Sequence, residues 1–238
     1  RFTCPYHNWS YGLDGQLLAV AKPDFDGSTE EFVGSRDELG LIEVLVEAFA
    51  GFIFLNPDPL AEPLANFLGE LAVLLPPYRL EEMIPVGINV RETIECNWKV
   101  VMDAFQEGYH VQGVHPQLAS MTKLSRERCN FFGDHAVTVV PFGSPDLAAL
   151  GPEKEIEGYL SLPVENFVGF ADALPRLAAL ADTYRGGDGK LALTKGVTPL
   201  SLFQQAVREV LTEKGLDVSA LTANQMSDYQ YWLLFPNV

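Results

Sequence analysis

Basic residues, cysteines and long apolar runs are all scarce in this sequence, and each scarcity excludes a class of protein. The 238 residues include 16 Lys and Arg against 32 Asp and Glu, a formal net charge of −16 that argues against nucleic acid as a partner. Three cysteines give no disulfide framework, so a reducing, cytoplasmic setting is expected. No apolar run reaches the ~18 residues of a membrane span. The 47% of apolar residues predicts a globular protein with a packed core.

Histidine is also scarce, and half of it is concentrated in one segment. Of four histidines, His110 and His115 lie five residues apart and follow the carboxylates Asp103 and Glu107. Imidazoles and carboxylates clustered in this way predict a metal site. Two imidazoles suit zinc, copper, nickel or iron, and the pair alone does not choose between them. His135 begins a predicted strand without a partner at such spacing and is interpreted as structural.

The spacing of the two histidines makes a geometric prediction. On a continuous α-helix, residues five apart diverge by about 140°, so His110 and His115 could not both reach one ion. A helix is therefore predicted from about Asn97 to Val111 and is expected to end between the histidines. Gly113 and Pro116 are the residues expected to end it. The glutamate three residues before the first histidine would share its face.

The chain opens with a second ligand-like segment. Cys4 and His7 form a C-x2-H pair, followed by Trp9, Tyr11 and a turn through Leu13-Asp14-Gly15. From the pair alone, a zinc site of mixed Cys and His ligands would be the better interpretation. With its flanking residues, however, the segment resembles the second ligand loop of a Rieske [2Fe–2S] centre, in which two Cys hold one iron and two His the other. The C-x-H spacing of the first loop does not occur in the sequence.

Together the two segments resemble the large (alpha) subunit of Rieske non-heme iron aromatic-ring-hydroxylating oxygenases. The catalytic motif of that family is Asn-Trp-Lys, a carboxylate, and then D/E-x2-H-x4-H, which residues 97–115 match in order. Residues 231–237 resemble the family's strand ending in Phe-Pro-Asn. Two residues depart from the pattern, since Asn8 stands where Gly is usual and Glu107 where Asp is more usual.

The resemblance implies an α+β fold in two parts. Residues 1–58 would be the C-terminal part of a Rieske [2Fe–2S] β domain, closed by a strand over residues 51–56, and residues 59–238 a helix-grip (START-like) catalytic domain with an antiparallel sheet and helices. Within the second part the sequence patterns predict helices over 64–75, Pro175–Tyr184 and Pro199–Lys214, strands over Ile88–Ile94 and His135–Val140, and an irregular stretch over 143–169.

The resemblance also implies the ligands of two cofactors. Cys4 and His7 would bind the [2Fe–2S] Rieske cluster, and His110 and His115 a mononuclear Fe(II). In the family the third iron ligand is an Asp on a helix after the Phe-Pro-Asn strand, so it is expected after Val238 and the chain is expected to be a fragment, inactive alone. By residue type alone, four other carboxylates are weaker alternatives: Asp172, Asp182, Asp188 and Asp228.

Roles for other residues follow from the same resemblance. Glu107 and Asp103 are expected to take part in catalysis, Glu107 by bridging the cluster of one subunit to the iron of the next. Asp103, Ala104 and Val111 are expected to line the substrate pocket.

The implied activity is that of a terminal oxygenase, which uses O2 and electrons from the cluster to hydroxylate an organic, aromatic substrate. The expected partners are a ferredoxin and/or a flavin reductase drawing on NAD(P)H, in a homotrimer or an α3β3 assembly, without nucleic acid or membrane. Three alternatives stay open: a Rieske monooxygenase or demethylase for a non-aromatic substrate, an electron-transfer Rieske protein, and a carrier of apolar ligands with a zinc-stabilised appendage.

Overall fold

The computed structural model describes residues 1–21, 36–84, 91–119, 124–163 and 168–236. The chain forms two compact units, Arg1–Phe67 and Leu68–Val238. The predicted division after residue 58 lies inside the first unit. The secondary structure is α+β and every paired strand is antiparallel among the described residues, as the sequence predicted at this level.

The first unit is built on short strands. β1 (Phe2–Thr3), β2 (Ser10–Tyr11) and β3 (Leu17–Ala19) form one sheet, and β4 (Leu45–Phe49) and β5 (Phe52–Asn56) form a hairpin. A 3₁₀ helix covers Arg36–Leu39. The hairpin turn has two residues of positive φ, 51° and 84° at positions 50 and 51. This backbone follows the right-handed twist of the strands, and it allows β4 and β5 to pair along their whole length.

Two short helices, α1 (Leu64–Leu68) and α2 (Leu71–Leu74), occupy the stretch predicted as one helix over residues 64–75. The single-helix prediction is wrong because Gly69 has a φ of 54°, a left-handed conformation that a continuous right-handed helix does not contain. The helical turn stops before Pro76, as predicted.

The remaining helices and strands belong to the second unit. They are α3 (Trp98–Phe105), α4 (Val111–Val114), α5 (Pro116–Ala119), β6 (Arg128–Phe132), β7 (His135–Val140), α6 (Pro145–Ala149), α7 (Pro152–Leu160), α8 (Ala173–Asp182), α9 (Pro199–Glu213) and β8 (Tyr229–Leu233), with 3₁₀ helices at Pro76–Tyr78, Leu80–Glu82, Leu124–Arg126, Val168–Phe170 and Asn224–Met226. No helix of the described residues combines the length and the apolar character needed to cross a membrane.

The sheet of the second unit has the order β6-β7-β8, with β7 in the centre. Tyr231 pairs with Thr138 and Tyr229 with Val140, while Trp232 pairs with Val137. Because side chains alternate along a strand, the tyrosines project from one face and Trp232 from the other. The sheet therefore separates two cavities, one lined by the tyrosines and one of ≈ 620 Å³ lined by Trp232.

The core packs α7, α8 and α9 around a cluster of aromatic rings. Phe142 and Phe203 stack with ring centroids 4.8 Å apart and planes 11° apart. Phe170 meets Phe203 edge to face at 5.0 Å, and Tyr159 lies 5.5 Å from the same ring. Phe203 is completely buried and touches every other ring of the cluster, so it is the centre of the core.

Most of the predicted elements of the second unit are present. The strand His135–Val140 is β7, and the helices predicted from Pro175 and Pro199 are α8 and α9. The irregular stretch predicted over 143–169 is wrong, because α6 and α7 lie within it. Each of these helices begins with Pro at its first turn, and Ser144 caps α6 by accepting the amide of Leu147.

One predicted strand is not fully described. Residues 88–90 of the strand predicted over Ile88–Ile94 lie outside the described residues, and residues 91–94 have no regular secondary structure.

Candidate metal centre

The Asn-Trp-Lys motif begins the first helix of the site. Asn97 is extended, and its side chain accepts the amide of Lys99 at 3.0 Å, so it is the N-cap of α3. The ring of Trp98 lies 5.8 Å from that of Phe235. The motif and the Phe-Pro segment after β8 are therefore in contact, although about 140 residues of sequence separate them.

The helix expected from Asn97 to Val111 is shorter than predicted, because α3 ends at Phe105. A turn then leads to a separate helix, α4, which ends at Val114, so a helix does end between the two histidines, but it is not the helix that begins at Asn97. Gly113 is inside α4 and does not end a helix. A carboxylate explains this local fold: Glu107 accepts the amide of His110 at 3.2 Å, which satisfies a free N–H at the start of α4.

His110 and His115 are the two residues that flank α4. The backbone leaves the helix at His115, with φ −127° and ψ 55°, so the 140° divergence of a continuous helix does not apply. The ring centroids lie 5.7 Å apart with planes at 76°, and both rings line one cavity of ≈ 150 Å³. The pair fits a shared metal ion, since an ion about 2.1 Å from one nitrogen of each ring needs rings this close.

Glu107 orients the first ring. Its Oε1 lies 2.6 Å from Nδ1 of His110, and the hydrogen bond from His110 holds the pKa of the Glu107 carboxyl below its usual value. A carboxylate at Nδ1 favours the tautomer with the proton on that nitrogen, which leaves the lone pair of Nε2 for a metal. Both side chains are partly exposed, Glu107 at 45% and His110 at 34%.

Two histidines do not complete a metal site. Across the described ranges, no group of three or more His, Cys, Asp or Glu side chains is placed to hold an ion. The four alternative carboxylates have other partners: Asp172 pairs with Lys214, Asp182 with Arg185, Asp188 accepts the amide of Lys190, and Asp228 accepts the amide of Phe142.

The cavity lies between the α3–α4 segment and the sheet. Ala104 and Val111 line it, whereas Asp103 is exposed on α3 and is not among the lining residues. The opposite wall includes Tyr229 and Tyr231, whose ring centroids are 5.8 Å apart. Burial raises the pKa of the Tyr231 hydroxyl, with smaller contributions from neighbouring acidic groups.

The tyrosines were absent from the expected site. A signal was available in their i, i+2 spacing, which places both on one face of a strand. The face that meets the histidines depends on strand pairing, which the sequence alone does not reveal. His135, interpreted as structural, is 2% exposed and is not among the residues that line the cavity.

The Cys4–His7 segment forms the loop between β1 and β2 in the first unit. Two backbone hydrogen bonds close it, from Cys4 to the carbonyl of Trp9 at 2.8 Å and from Asn8 to the carbonyl of Cys4 at 2.9 Å. Asn8 has a φ of 59°, a left-handed conformation that Gly favours and Asn tolerates. Cys4 is half-buried and His7 is exposed.

Fold and site thus define a class, an α+β domain in which an antiparallel sheet and a broken helix enclose a cavity with two histidines. The family of this chain follows from comparison with known proteins. A family model described as the catalytic domain of the ring hydroxylating alpha subunit matches residues 78–238, and the chain belongs to this family.

Individual relatives match shorter stretches. The glycine betaine monooxygenase oxygenase subunit of Pseudomonas aeruginosa is 34% identical over 122 residues, 50% of this chain and 26% of the relative. The anthranilate 1,2-dioxygenase large subunit of Acinetobacter baylyi is 33% identical over 141 residues, 54% of this chain and 27% of the relative. The matches thus span only about a quarter of each relative.

A solved structure shares the fold over nearly the whole chain. Naphthalene 1,2-dioxygenase with indole bound in the active site has a TM-score of 0.51 at 23% identity, over 99% of this chain and 46% of that one.

Proposed function

We propose that this chain is part of the terminal oxygenase component of a Rieske-type oxygenase, which hydroxylates an organic, aromatic substrate with O2. The observation that carries the proposal is the cavity in which His110 and His115 lie side by side, with Glu107 bonded to the first ring. Residues 1–58 would then be the C-terminal part of a Rieske domain, and residues 59–238 a helix-grip catalytic domain.

His110 and His115 would hold a mononuclear Fe(II) together with one carboxylate, the ligand set of many non-heme iron oxygenases. When bound, this iron supplies the activation of O2, because three protein ligands leave coordination positions open. The contribution of the chain itself is orientation: Glu107 fixes the tautomer of His110 so that its Nε2 is available as a ligand. Asp103, exposed on α3, remains a proposed catalytic and pocket residue.

Electrons are the second requirement of the proposed reaction. Cys4 and His7 would be two of the four ligands of a [2Fe–2S] cluster, which supplies electrons received from a ferredoxin and/or a flavin reductase. In a homotrimer or α3β3 assembly, Glu107 would bridge the cluster of a neighbouring subunit to His110. Its carboxylate is 45% exposed, so it is accessible to a further partner.

The walls of the cavity suit two substrate classes. Phe105, Tyr229 and Tyr231 present aromatic rings to it, and such rings stack on an aromatic substrate or bind a quaternary ammonium through cation–π attraction. The second class is the runner-up because one relative is a glycine betaine monooxygenase. O2-dependent turnover of anthranilate against glycine betaine distinguishes the two. Formaldehyde, the product of N-demethylation, would favour the quaternary ammonium class.

The iron ligands are tested in the full-length protein that contains this chain. We expect His110→Ala and His115→Ala each to lose the mononuclear iron and all substrate oxidation, because a set reduced to two protein ligands holds Fe(II) poorly. Iron content and the visible spectrum of the cluster are the measurements. His7→Ala is the reciprocal control, since it should lose the cluster spectrum and keep the mononuclear iron. Retained turnover in either of the first two variants would exclude these residues as ligands.

A further inference from the structure

The turn between α3 and α4 carries Glu107 and His110, and each flanking helix makes a backbone hydrogen bond with it, from Gln106 to the carbonyl of Asp103 and from Val111 to the carbonyl of Gly108. Residues 106–110 lie beyond the last turn of α3 and before the first of α4. Gly108 is buried in this turn, and a buried amide requires a hydrogen-bond partner. The position of the site thus also depends on the group that accepts this amide.

A carboxylate close to β6 supplies that partner. The amide of Gly108 donates to Oε1 of Glu127 at 2.8 Å. Glu127 is half-buried and directly precedes the strand, so the sheet fixes its position. An ionised acceptor makes this hydrogen bond stronger than one between neutral groups.

A second contact reaches the same turn from β7. The hydroxyl of Thr138 lies 3.3 Å from the carbonyl oxygen and 3.2 Å from the side-chain Oε1 of Gln106. Thr138 is 1% exposed in the central strand. Glu127, just before β6, and Thr138 in β7 thus contact the residues on both sides of Glu107.

We propose that Glu127 is a positioning residue for the metal centre: by holding the amide of Gly108 it fixes the peptide that follows Glu107, and through Glu107 the orientation of His110. This inference rests on the proposed function, because it concerns the ligand role of His110. Glu127 is not a metal ligand here; it acts through two intermediates, Gly108 and Glu107, with Thr138 as a secondary support.

The test compares Glu127→Ala with Glu127→Gln in the full-length protein, after removal of the mononuclear metal. Cobalt(II) is the probe, and its affinity is read from the absorption bands that appear on coordination. Glu127→Ala should weaken cobalt binding by about 10- to 100-fold, as is typical when a residue that orients a ligand is lost. Glu127→Gln keeps an oxygen acceptor for Gly108 and should bind within about 3-fold of wild type.

Glu47→Ala is the matched control. Its Oε1 accepts the amide of Leu64 at 2.7 Å, a hydrogen bond of the same kind in the other unit. It should leave cobalt affinity unchanged. If Glu127→Ala does not fold, Thr138→Val removes the other contact to the turn without a change of side-chain size and should also weaken cobalt binding. Thr138→Ser keeps the hydroxyl and should bind cobalt like the wild type.

Two outcomes would overturn the inference: wild-type cobalt affinity in Glu127→Ala, or equal losses in Glu127→Ala and Glu127→Gln, which would make charge rather than position the cause. The proposed function fails separately, if His110→Ala itself retains the metal. Amide exchange at Gly108 in the metal-free protein adds a readout without metal, since it should accelerate in Glu127→Ala but not in Glu127→Gln.

Discussion

At the residue scale, one side chain makes two contacts with the same histidine. The two oxygens of Glu107 contact the imidazole and the amide of His110. One carboxylate thus reaches both groups while its side chain stays 45% exposed. A substitution that keeps the length of this side chain and removes its charge can separate the proposed bridging role from metal binding.

We expect Glu107→Gln to keep both metals and to slow turnover by at least ~10- to 100-fold, the loss typical of residues that orient a ligand. The amide has the same length but lacks the negative charge that favours the correct imidazole tautomer. The rate at which a pre-reduced cluster reduces the iron site in a single turnover measures this directly, and Glu81→Gln is an exposed control. A wild-type rate would refute the bridging role. Loss of iron would instead make Glu107 a candidate ligand.

The sequence predicted residues of the site that lie close together in the chain. His110, His115 and Glu107 are within nine positions, and their side chains do meet in one cavity. Their role as ligands stays a prediction. Tyr231 and Glu127 could not be predicted, because they reach the site through strand pairing and through a hydrogen bond to a backbone amide, neither of which leaves a pattern in sequence.

At the scale of secondary structure, periodicity predicted the long helices α8 and α9 and the strand β7 well. It failed where the backbone carries a local exception. Gly69 interrupts one helical pattern, and Glu107 starts a new helical turn where a longer helix was expected. A single left-handed residue or side-chain cap does not change the spacing of the apolar residues around it. The periodicity therefore does not reveal such interruptions.

The aromatic core predicts that the protein loses stability when the Phe203 ring of α9 is removed. Phe203→Ala should destabilise the protein by about 3–5 kcal/mol, because it leaves a cavity among Phe142, Tyr159 and Phe170 that their rings cannot fill. Urea unfolding followed by circular dichroism measures the change. Leu150→Ala, at a position 67% exposed, should alter stability by less than about 0.5 kcal/mol. A change below about 1 kcal/mol for Phe203→Ala would contradict the central position of this ring.

An ion pair gives α7 a pH-dependent attachment to the turn after α8. Arg185 donates to Glu153 at 2.7 Å, and this hydrogen bond lowers the pKa of the Glu153 carboxyl from its usual 4.5. A depressed pKa means stability that is present above the unfolded value and is lost as the pH falls through the folded one. At pH 7, Glu153→Gln should therefore have a lower Tm than wild type.

That difference in Tm should disappear in acid, at a pH below the depressed pKa, where Glu153 is protonated and resembles Gln. Thermal unfolding of both proteins between pH 7 and pH 3 is the measurement. In an Arg185→Gln background the effect of Glu153→Gln should be smaller at every pH. A difference that does not vary with pH would show that the charge of Glu153 contributes nothing.

At the scale of the whole molecule, charge and fold class were predictable and the arrangement of the site was not. The formal charge of −16 comes from counts alone, and α+β follows from the mixture of patterns. Which face of the sheet the histidines meet depends on the register of β7 against β8, whose residues lie about 90 positions apart in sequence. Contacts at such separations have no local signature, so a structure was needed to find the cavity.

The charge imbalance predicts a dependence on salt. Self-repulsion of 32 acidic against 16 basic residues should be screened as NaCl rises from about 10 mM to about 150 mM, where the Debye length falls from about 30 to about 8 Å. Tm should therefore increase over this range at pH 7. A fall in Tm would mean that the ion pairs of the surface outweigh the net repulsion.

The alternation of side chains on β8 determines which mutations of this strand the protein should tolerate. Odd-numbered positions, Tyr229 and Tyr231, serve the histidine cavity, while even-numbered Gln230 and Trp232 serve the larger cleft behind the sheet. Alternate residues of one strand thus line the two surfaces. A substitution at one position can alter one surface and leave the other unchanged. A single-residue deletion before Tyr229 would move the tyrosines to the face of the larger cavity and Gln230 and Trp232 to the face of the histidines. This strand should therefore tolerate substitutions far better than insertions or deletions.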